Sequence, residues 1–339
     1  MHAPLPRTPE IDARALLQEV RPFQKPNGYR SVFELAVTAI PFALLWLLTW
    51  AALDAGYMAG LLLTIPAGGF LLRLFLIQHD CGHGAFFRRQ AANDWVGRIL
   101  GVVTFTPYDY WRRSHAVHHA STGNLEARGV GDVDTLTVDE YRALSRLGRL
   151  RYRLYRHPLI LFGVGPAYLF LLRHRIPVGM MKKGWEPWLS ALGTNAGIAA
   201  VGGLLIWAMG LKLFLLILLP TTLIAASLGV WFFYVQHQFE GTQWDRDEDW
   251  SFHAAALHGS SHYDLPGILR WFSANIGVHH VHHLASRVPF YRLPDVLKNV
   301  PGLADISRVT IRQSLATVRL VLWDEQKRQL VTFAEARRG

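Results

Sequence analysis

Sixteen histidines lie in 339 residues, and the densest stretch reads Asn275-Ile-Gly-Val-His279-His280-Val-His282-His283-Leu284. A helix turns about 100° per residue, so on a helical reading His279, His282 and His283 share an arc of about 100°. Asn275 falls inside that arc and His280 points away from its centre. Neutral imidazole is the commonest metal ligand, so such a face is half of a metal cage. The spacing recurs: His115-Ala-Val-His118-His119 repeats H-x-x-H-H, and His79-Asp-Cys-Gly-His83 places two imidazoles four residues apart. At this histidine frequency a given H-x-x-H-H arises by chance at about one start in 10,000. Two in one chain set aside a scatter of structural histidines.

Eight clustered imidazoles exceed what one metal takes, typically about four to six donors, and exceed a closed tetrahedral zinc site. They suit two adjacent metals with open coordination positions. All-nitrogen ligation without thiolate fits iron, with zinc, copper or manganese as alternatives. Iron with open positions can activate dioxygen, a route to attacking an unactivated C–H bond.

The elements that must hold these residues are apolar. Residues 32–53 and 58–77 are two runs long enough to cross a bilayer of about 30 Å, joined by a tight turn at Asp54-Ala-Gly-Tyr57. Residues 188–209 and 211–235 form a second such pair, turning near Gly210. Lys and Arg crowd the outer ends of both pairs, so the termini and the histidine motifs are expected on the cytoplasmic side. Arg73, inside the second run, is expected to snorkel. Two shorter apolar stretches, 95–106 and 158–172, are expected in the interface, and the arginine run at 142–156 at lipid headgroups. The region after 241 is mixed, with a helical period over 309–322.

Composition agrees with a membrane protein. The hydrophobic fraction is 51% although the chain carries 35 Lys plus Arg, so apolar and basic segments are segregated. A formal charge of +10 permits nucleic-acid binding, but no nucleic-acid module is legible. The single cysteine, Cys81, excludes an intrachain disulfide and a thiolate-rich metal site.

HDCGH at 79–83, HAVHH at 115–119, VQHQFEGTQW at 235–244 and NIGVHHVHHL at 275–284, with GVGD at 129–132, resemble the integral-membrane fatty acid desaturases. The likeness runs from about residue 75 to 294 and is greatest for the bacterial acyl-lipid branch. The resemblance implies two iron ions (Fe2+/Fe3+) that use dioxygen and two electrons to remove two hydrogens from the acyl chain of a membrane lipid. It carries ligand roles to His79, His83, His115, His118, His119, His279, His282 and His283, and makes His237 a ninth. The helical arc makes Asn275 a candidate contact through water, and His280 is expected away from the metals or facing solvent. Asp80, Asp109, Glu240 and Asp264 are carboxylates that could accept the second ring N–H of a metal-bound histidine. His258 and His262 share a helical face and are expected at the surface, as is His253; His2, His157 and His174 are expected to be interfacial or terminal. Trp111, Trp231, Trp244, Trp250 and Trp271 are candidates for lining an acyl path or for the membrane interface.

The expected fold is all-α and polytopic: four transmembrane helices in two hairpins, with a cytoplasmic helical cap carrying the metal site. One domain covers 1–339, with cytoplasmic segments at 1–30 and 285–339, in a bacterial inner membrane. Neither a fused cytochrome b5 motif nor a nucleotide-binding glycine motif occurs, so electrons are expected from a separate ferredoxin, flavodoxin or cytochrome b5. A hydroxylase or carotenoid oxygenase (ketolase) with the same centre is the rival enzyme. A non-catalytic metal-binding or transport protein is the rival of another class, but transporter ligands belong near mid-membrane.

Overall fold

A computed structural model describes residues 13–129 and 131–338. Most of the expected terminal segment 1–30 is covered; residues 1–12 with His2, Val130 of the GVGD stretch, and Gly339 lie outside the described residues.

Helix α1 (Ala13–Val20) leads into α2 (Gly28–Asp54), whose first turn is capped by Asn27: its side-chain oxygen accepts from the Arg30 N–H at 3.2 Å. At 27 residues α2 is about 40 Å long, more than a bilayer core requires. The chain reverses at Gly56, whose φ of +85° favours glycine. It returns through a 3₁₀ turn (Met58–Leu63) into α3 (Thr64–Gly82). A Cβ on Gly60 would meet the Ala52 methyl at 2.6 Å, so the close approach of the two passes needs a glycine there.

Arg73 does not snorkel. It is 1% exposed and pairs with the buried Glu34 of α2, donates to Thr38 Oγ1 at 3.1 Å and to the Trp271 carbonyl, and lies 4.0 Å over the Trp271 ring. The partner carboxylate, 39 residues earlier, makes burial tolerable where snorkelling would otherwise be required.

The remaining long apolar element is a continuous 52-residue helical run, Glu186–His237, broken only at Gly210 (φ 78°, ψ 153°). Straight, it would extend about 78 Å. Yet both ends meet the 14-residue α5 (Tyr108–Ser121): the Tyr110 N–H donates to Ser190 Oγ at 3.2 Å, and the His118 and His237 rings lie 4.7 Å apart. The run therefore doubles back at Gly210 into two passes, 186–209 and 211–237. Thus the three helices that, among the described residues, are long and apolar enough to cross a membrane contain the four expected passes. Gly68 of α3 packs on this hairpin; a Cβ there would meet Ile224 at 2.6 Å.

Helix α4 (Gln90–Val103) is about 21 Å long, too short to span, and lies along α3 with Trp95 and Ile99 outward. Residues 158–172 coil as two π-helical turns, Ile160–Val164 and Tyr168–Leu172, around Gly165–Ala167. The part after 241 is less helical than its periodicity predicts. Residues 309–322 break into a strand, a seven-residue helix (Ile311–Thr317) and another strand. His262–Asp264 pairs in parallel with Arg308–Thr310, and Leu322–Asp324 in antiparallel with Gln329–Val331. These short ladders tie segments of the cap to one another; the other regular elements among the described residues are helical.

Candidate metal centre

Each histidine motif is delivered by the end of a helix. His79 sits in the last turn of α3 and His83 caps it, its N–H reaching the His79 carbonyl at 3.2 Å. His115, His118 and His119 occupy the second half of α5, and His237 ends the returning pass of the hairpin. His279, His282 and His283 stand on a six-residue helix, His279–Leu284. That helix is tied down at its start, where the Ser261 carbonyl accepts from the N–H groups of His279 (3.1 Å) and His280 (3.3 Å). Gly277 lets the approach pass close to Tyr263, since a Cβ would meet the Tyr263 carbonyl oxygen at 2.4 Å.

The nine imidazoles fall into two adjoining groups. His79, His83, His115, His119 and His282 form one; His118, His237, His279 and His283 form the other, with donor atoms in each within 4.8 Å of one another. The H-x-x-H-H spacing therefore does not aim three rings at one point. Its outer pair, four residues apart, shares one group, while the middle histidine turns into the other. His119 and His283, from opposite groups, stack at 4.1 Å between ring centres. The first group is half-buried at His83, His115 and His119, whereas the second is buried throughout.

The distances fit cations better than hydrogen bonds. The Nε2–Nε2 separations are 2.9 Å for His79–His115, 3.1 Å for His115–His119 and 3.1 Å for His119–His282. In the second group they are 3.0 Å for His237–His279 and 3.1 Å for His279–His283. An imidazole nitrogen has either one proton or one lone pair, so the ring nitrogens of His115 and His119 cannot each satisfy two such contacts. Metal–nitrogen bonds of about 2.1 Å at right angles place donors about 3.0 Å apart, against about 3.4 Å at tetrahedral angles. The Nε2 atoms of His83 and His118 are buried with no hydrogen-bond partner among the described residues, as ligand nitrogens should be. Desolvation first, then the facing imidazoles, hold His83, His115, His119, His279, His282 and His283 well below the ordinary histidine value. That keeps them neutral, the form that binds metal.

Behind the rings the structure departs from several expectations. His118 Nδ1 is hydrogen-bonded to Asp132, and His237 Nδ1 faces the Gly259 carbonyl at 3.2 Å. The sequence signal for Asp132 is its place at the end of GVGD, where Gly131 takes φ +77° and a Cβ would pack 3.4 Å from His118. Asp80 is buried beside His79, but its nearer oxygen is 3.6 Å from Nδ1, and the other accepts from the Phe290 N–H at 2.7 Å. It joins α3 to the cap. Asp109 pairs with Arg98 at 2.9 Å, Asp264 pairs with Arg308, and Glu240 is exposed, so none of these three supports a ring. Asn275 is not on the helix of His279: it sits in the preceding turn at φ 53° and donates to the Phe290 carbonyl at 3.1 Å. His280 is off the metal-facing side but is not solvent-facing; it is fully buried, with Nε2 bonded to the Leu303 carbonyl at 2.7 Å. His258 ends a helix and His262 lies in a strand, so they share no helical face. His174 is buried against Tyr110 and Phe170.

Of the tryptophans, Trp111 lies nearest the site: it stacks on His115 at 4.6 Å and meets Phe75 edge-on at 5.5 Å. Phe75, one turn before His79, lines an apolar slot with Leu71 and Leu72 of α3, Phe170, and Ala225 and Gly229 of the hairpin. The slot thus runs along α3, and Trp111 stands between Phe75 in its wall and His115 of the more open imidazole group. A second, more polar pocket touches His237 and is lined by Asn124, Arg128, Asp132, Gln238 and Trp244.

Residues 55–314 match the fatty acid desaturase family. The chain is 42% identical over 322 residues to a fatty acid desaturase of Bacillus subtilis (strain 168), covering 94% of this chain and 90% of that protein. It is 29% identical over 235 residues to the sn-1 acyl-lipid omega-3 desaturase (ferredoxin) of Synechocystis, covering 67% and 63% of the two chains. To the sn-1 oleoyl-lipid 12-desaturase of Synechocystis it is 27% identical over 256 residues, covering 73% and 72%.

Proposed function

Because this chain belongs to the fatty acid desaturase family, we propose that it introduces a double bond into the acyl chain of a membrane lipid, using two iron ions, dioxygen and an external electron donor. The observation that carries this reading is the pair of all-imidazole groups at one end of the apolar spans. Iron bound there would supply the activation of dioxygen and the electron transfer that C–H cleavage requires. The balance is one –CH2–CH2– unit, O2, two electrons and two protons in, and one –CH=CH– and two waters out.

The protein's own residues do the rest. His79, His83, His115, His119 and His282 hold one ion, and His118, His237, His279 and His283 the other. Asp132 and the Gly259 carbonyl fix the rings of His118 and His237, each by its second nitrogen. Phe75 and Trp111 cover His79 and His115 on the side of the apolar slot, keep water from them, and give the acyl chain an apolar wall to lie against. Residues 1–339 act as one membrane-embedded unit in a bacterial inner membrane. The Lys and Arg asymmetry supports a cytoplasmic site, open to a ferredoxin, flavodoxin or cytochrome b5 type carrier.

Expression in a host lacking desaturases, followed by acyl-chain analysis, tests the reaction. The expected product is an unsaturated lipid-linked chain; a hydroxy or keto product would assign the rival chemistry, and no modified chain would remove the enzymatic reading. Asp132→Ala tests the support of His118. It is expected to lower metal affinity or turnover by about 10–100-fold, read as iron per chain after dialysis against a chelator. Unchanged iron retention and turnover would show that His118 needs no such anchor.

A further inference from the structure

The helix Arg146–Tyr155 presents leucines to its surroundings where a cap helix in water would not. Leu147, Leu150 and Leu154 are 55%, 53% and 53% exposed and, at spacings of three and four, share one face. At 100° per residue Arg151 flanks that face on one side, and Arg146 and Arg153 on the other. The opposite face is anchored in the cap: Tyr152 is buried, and its hydroxyl donates to the Val321 carbonyl at 2.6 Å. Arg146, Arg149 and Arg151 are exposed and pair with no carboxylate among the described residues.

The level of this helix follows from its C-terminus. Arg156 Nη2 donates to the Tyr234 hydroxyl at 3.2 Å, three residues before the returning pass ends at His237. Phe162, just beyond, meets Trp231 of the same pass at 5.1 Å. The helix therefore lies where the apolar pass gives way to the cap. The exposed apolar surface continues from it into Leu159, Val164 and Leu172, which are 74%, 60% and 63% exposed.

We propose that Arg146–Tyr155 is a membrane-surface helix, its leucines set into the acyl border and its arginines on the phosphates of anionic lipids. Positive charge alone would equally suit an acidic electron carrier. The leucine face decides between them, because a bilayer covers the leucines of 147–154 and the apolar residues of 159–172 with one partner. Basic flanks around an apolar face are what an in-plane helix needs at an anionic headgroup layer.

The test uses the full chain in vesicles, with a nitroxide at Leu150→Cys and, as a reference, at Asp139→Cys, where the native side chain is 80% exposed. The native Cys81 is buried and stays unlabelled. In phosphatidylglycerol vesicles the label at 150 should be reached better by oxygen than by a water-soluble nickel chelate, and the label at 139 the reverse. Each arginine at an anionic surface is worth about fivefold in binding. The Arg146→Gln/Arg151→Gln chain should then have its preference for spin-labelled phosphatidylglycerol over phosphatidylcholine reduced by about 25-fold. A label at 150 as open to the chelate as that at 139 would overturn the proposal. So would protection that appears only when a ferredoxin is added, which would make the helix a carrier dock. No turnover is measured, so the outcome stands apart from the reaction assigned above.

Discussion

Alanine at position 237 should leave the protein with about one metal per chain and without measurable product. His237 lies outside the histidine clusters of the sequence, yet its Nε2 is 3.0 Å from that of His279 and its other nitrogen faces the Gly259 carbonyl. The group it belongs to has four imidazoles, so the substitution leaves three, while the five-imidazole group is untouched. Losing a partner behind a ligand already costs about 10–100-fold, so losing the donor itself should exceed about 100-fold in turnover. Iron per chain by mass spectrometry should fall by about half, with the remainder as chelator-resistant as in the unaltered protein. His258→Ala, which alters neither group, is the control and should keep both iron and activity. If His237→Ala binds the full complement of iron and turns over normally, the four-imidazole group is not a metal site as drawn.

A second large effect is expected far from the metals. Glu34 is buried between two arginines: Arg73, itself buried, and Arg30, whose guanidinium is 2.6 Å away. Glu34→Leu would strand the Arg73 charge among apolar passes. Breaking a buried pair from one side costs about 3–5 kcal/mol, because the orphaned charge keeps its desolvation penalty. In detergent this should lower the midpoint of thermal unfolding by on the order of 5–10 °C. Glu34→Leu combined with Arg73→Met should recover most of the loss, since two apolar side chains of similar volume can replace such a pair. An unchanged midpoint in the single variant would mean that water or lipid headgroups already reach Arg73. Failure of the double variant to recover would mean that the Arg73 contacts to Thr38 and to the Trp271 carbonyl carry the stability instead.

Much of this protein was readable before any fold was known, because the informative patterns are local. A run such as 32–53 is apolar enough to cross a bilayer whatever surrounds it. H-x-x-H-H and H-x-x-x-H fix which imidazoles can share a helical face, and Gly210, between two apolar runs, marked the second reversal. The sequence determined the membrane class and the apolar passes, and it marked nine histidines that the fold gathers into two groups. Tertiary structure decided how those histidines divide. His118 and His282 leave their own neighbours for the opposite group, because four helices meet there from different directions and a ring joins the group it points into. It also decided which polar groups stand behind the rings. Asp132 reaches His118 from 14 residues away through a turn made by Gly131, whereas Asp109 and Asp264, near the motifs in sequence, are taken by Arg98 and Arg308. Asn275 lies off the ligand face because the helix begins four residues after it, and Arg73 is buried because Glu34 meets it across the hairpin. The Glu34–Arg73 pair joins residues 39 apart on two different helices, so no local spacing encodes it; only the packing of one helix on the other brings the partners together.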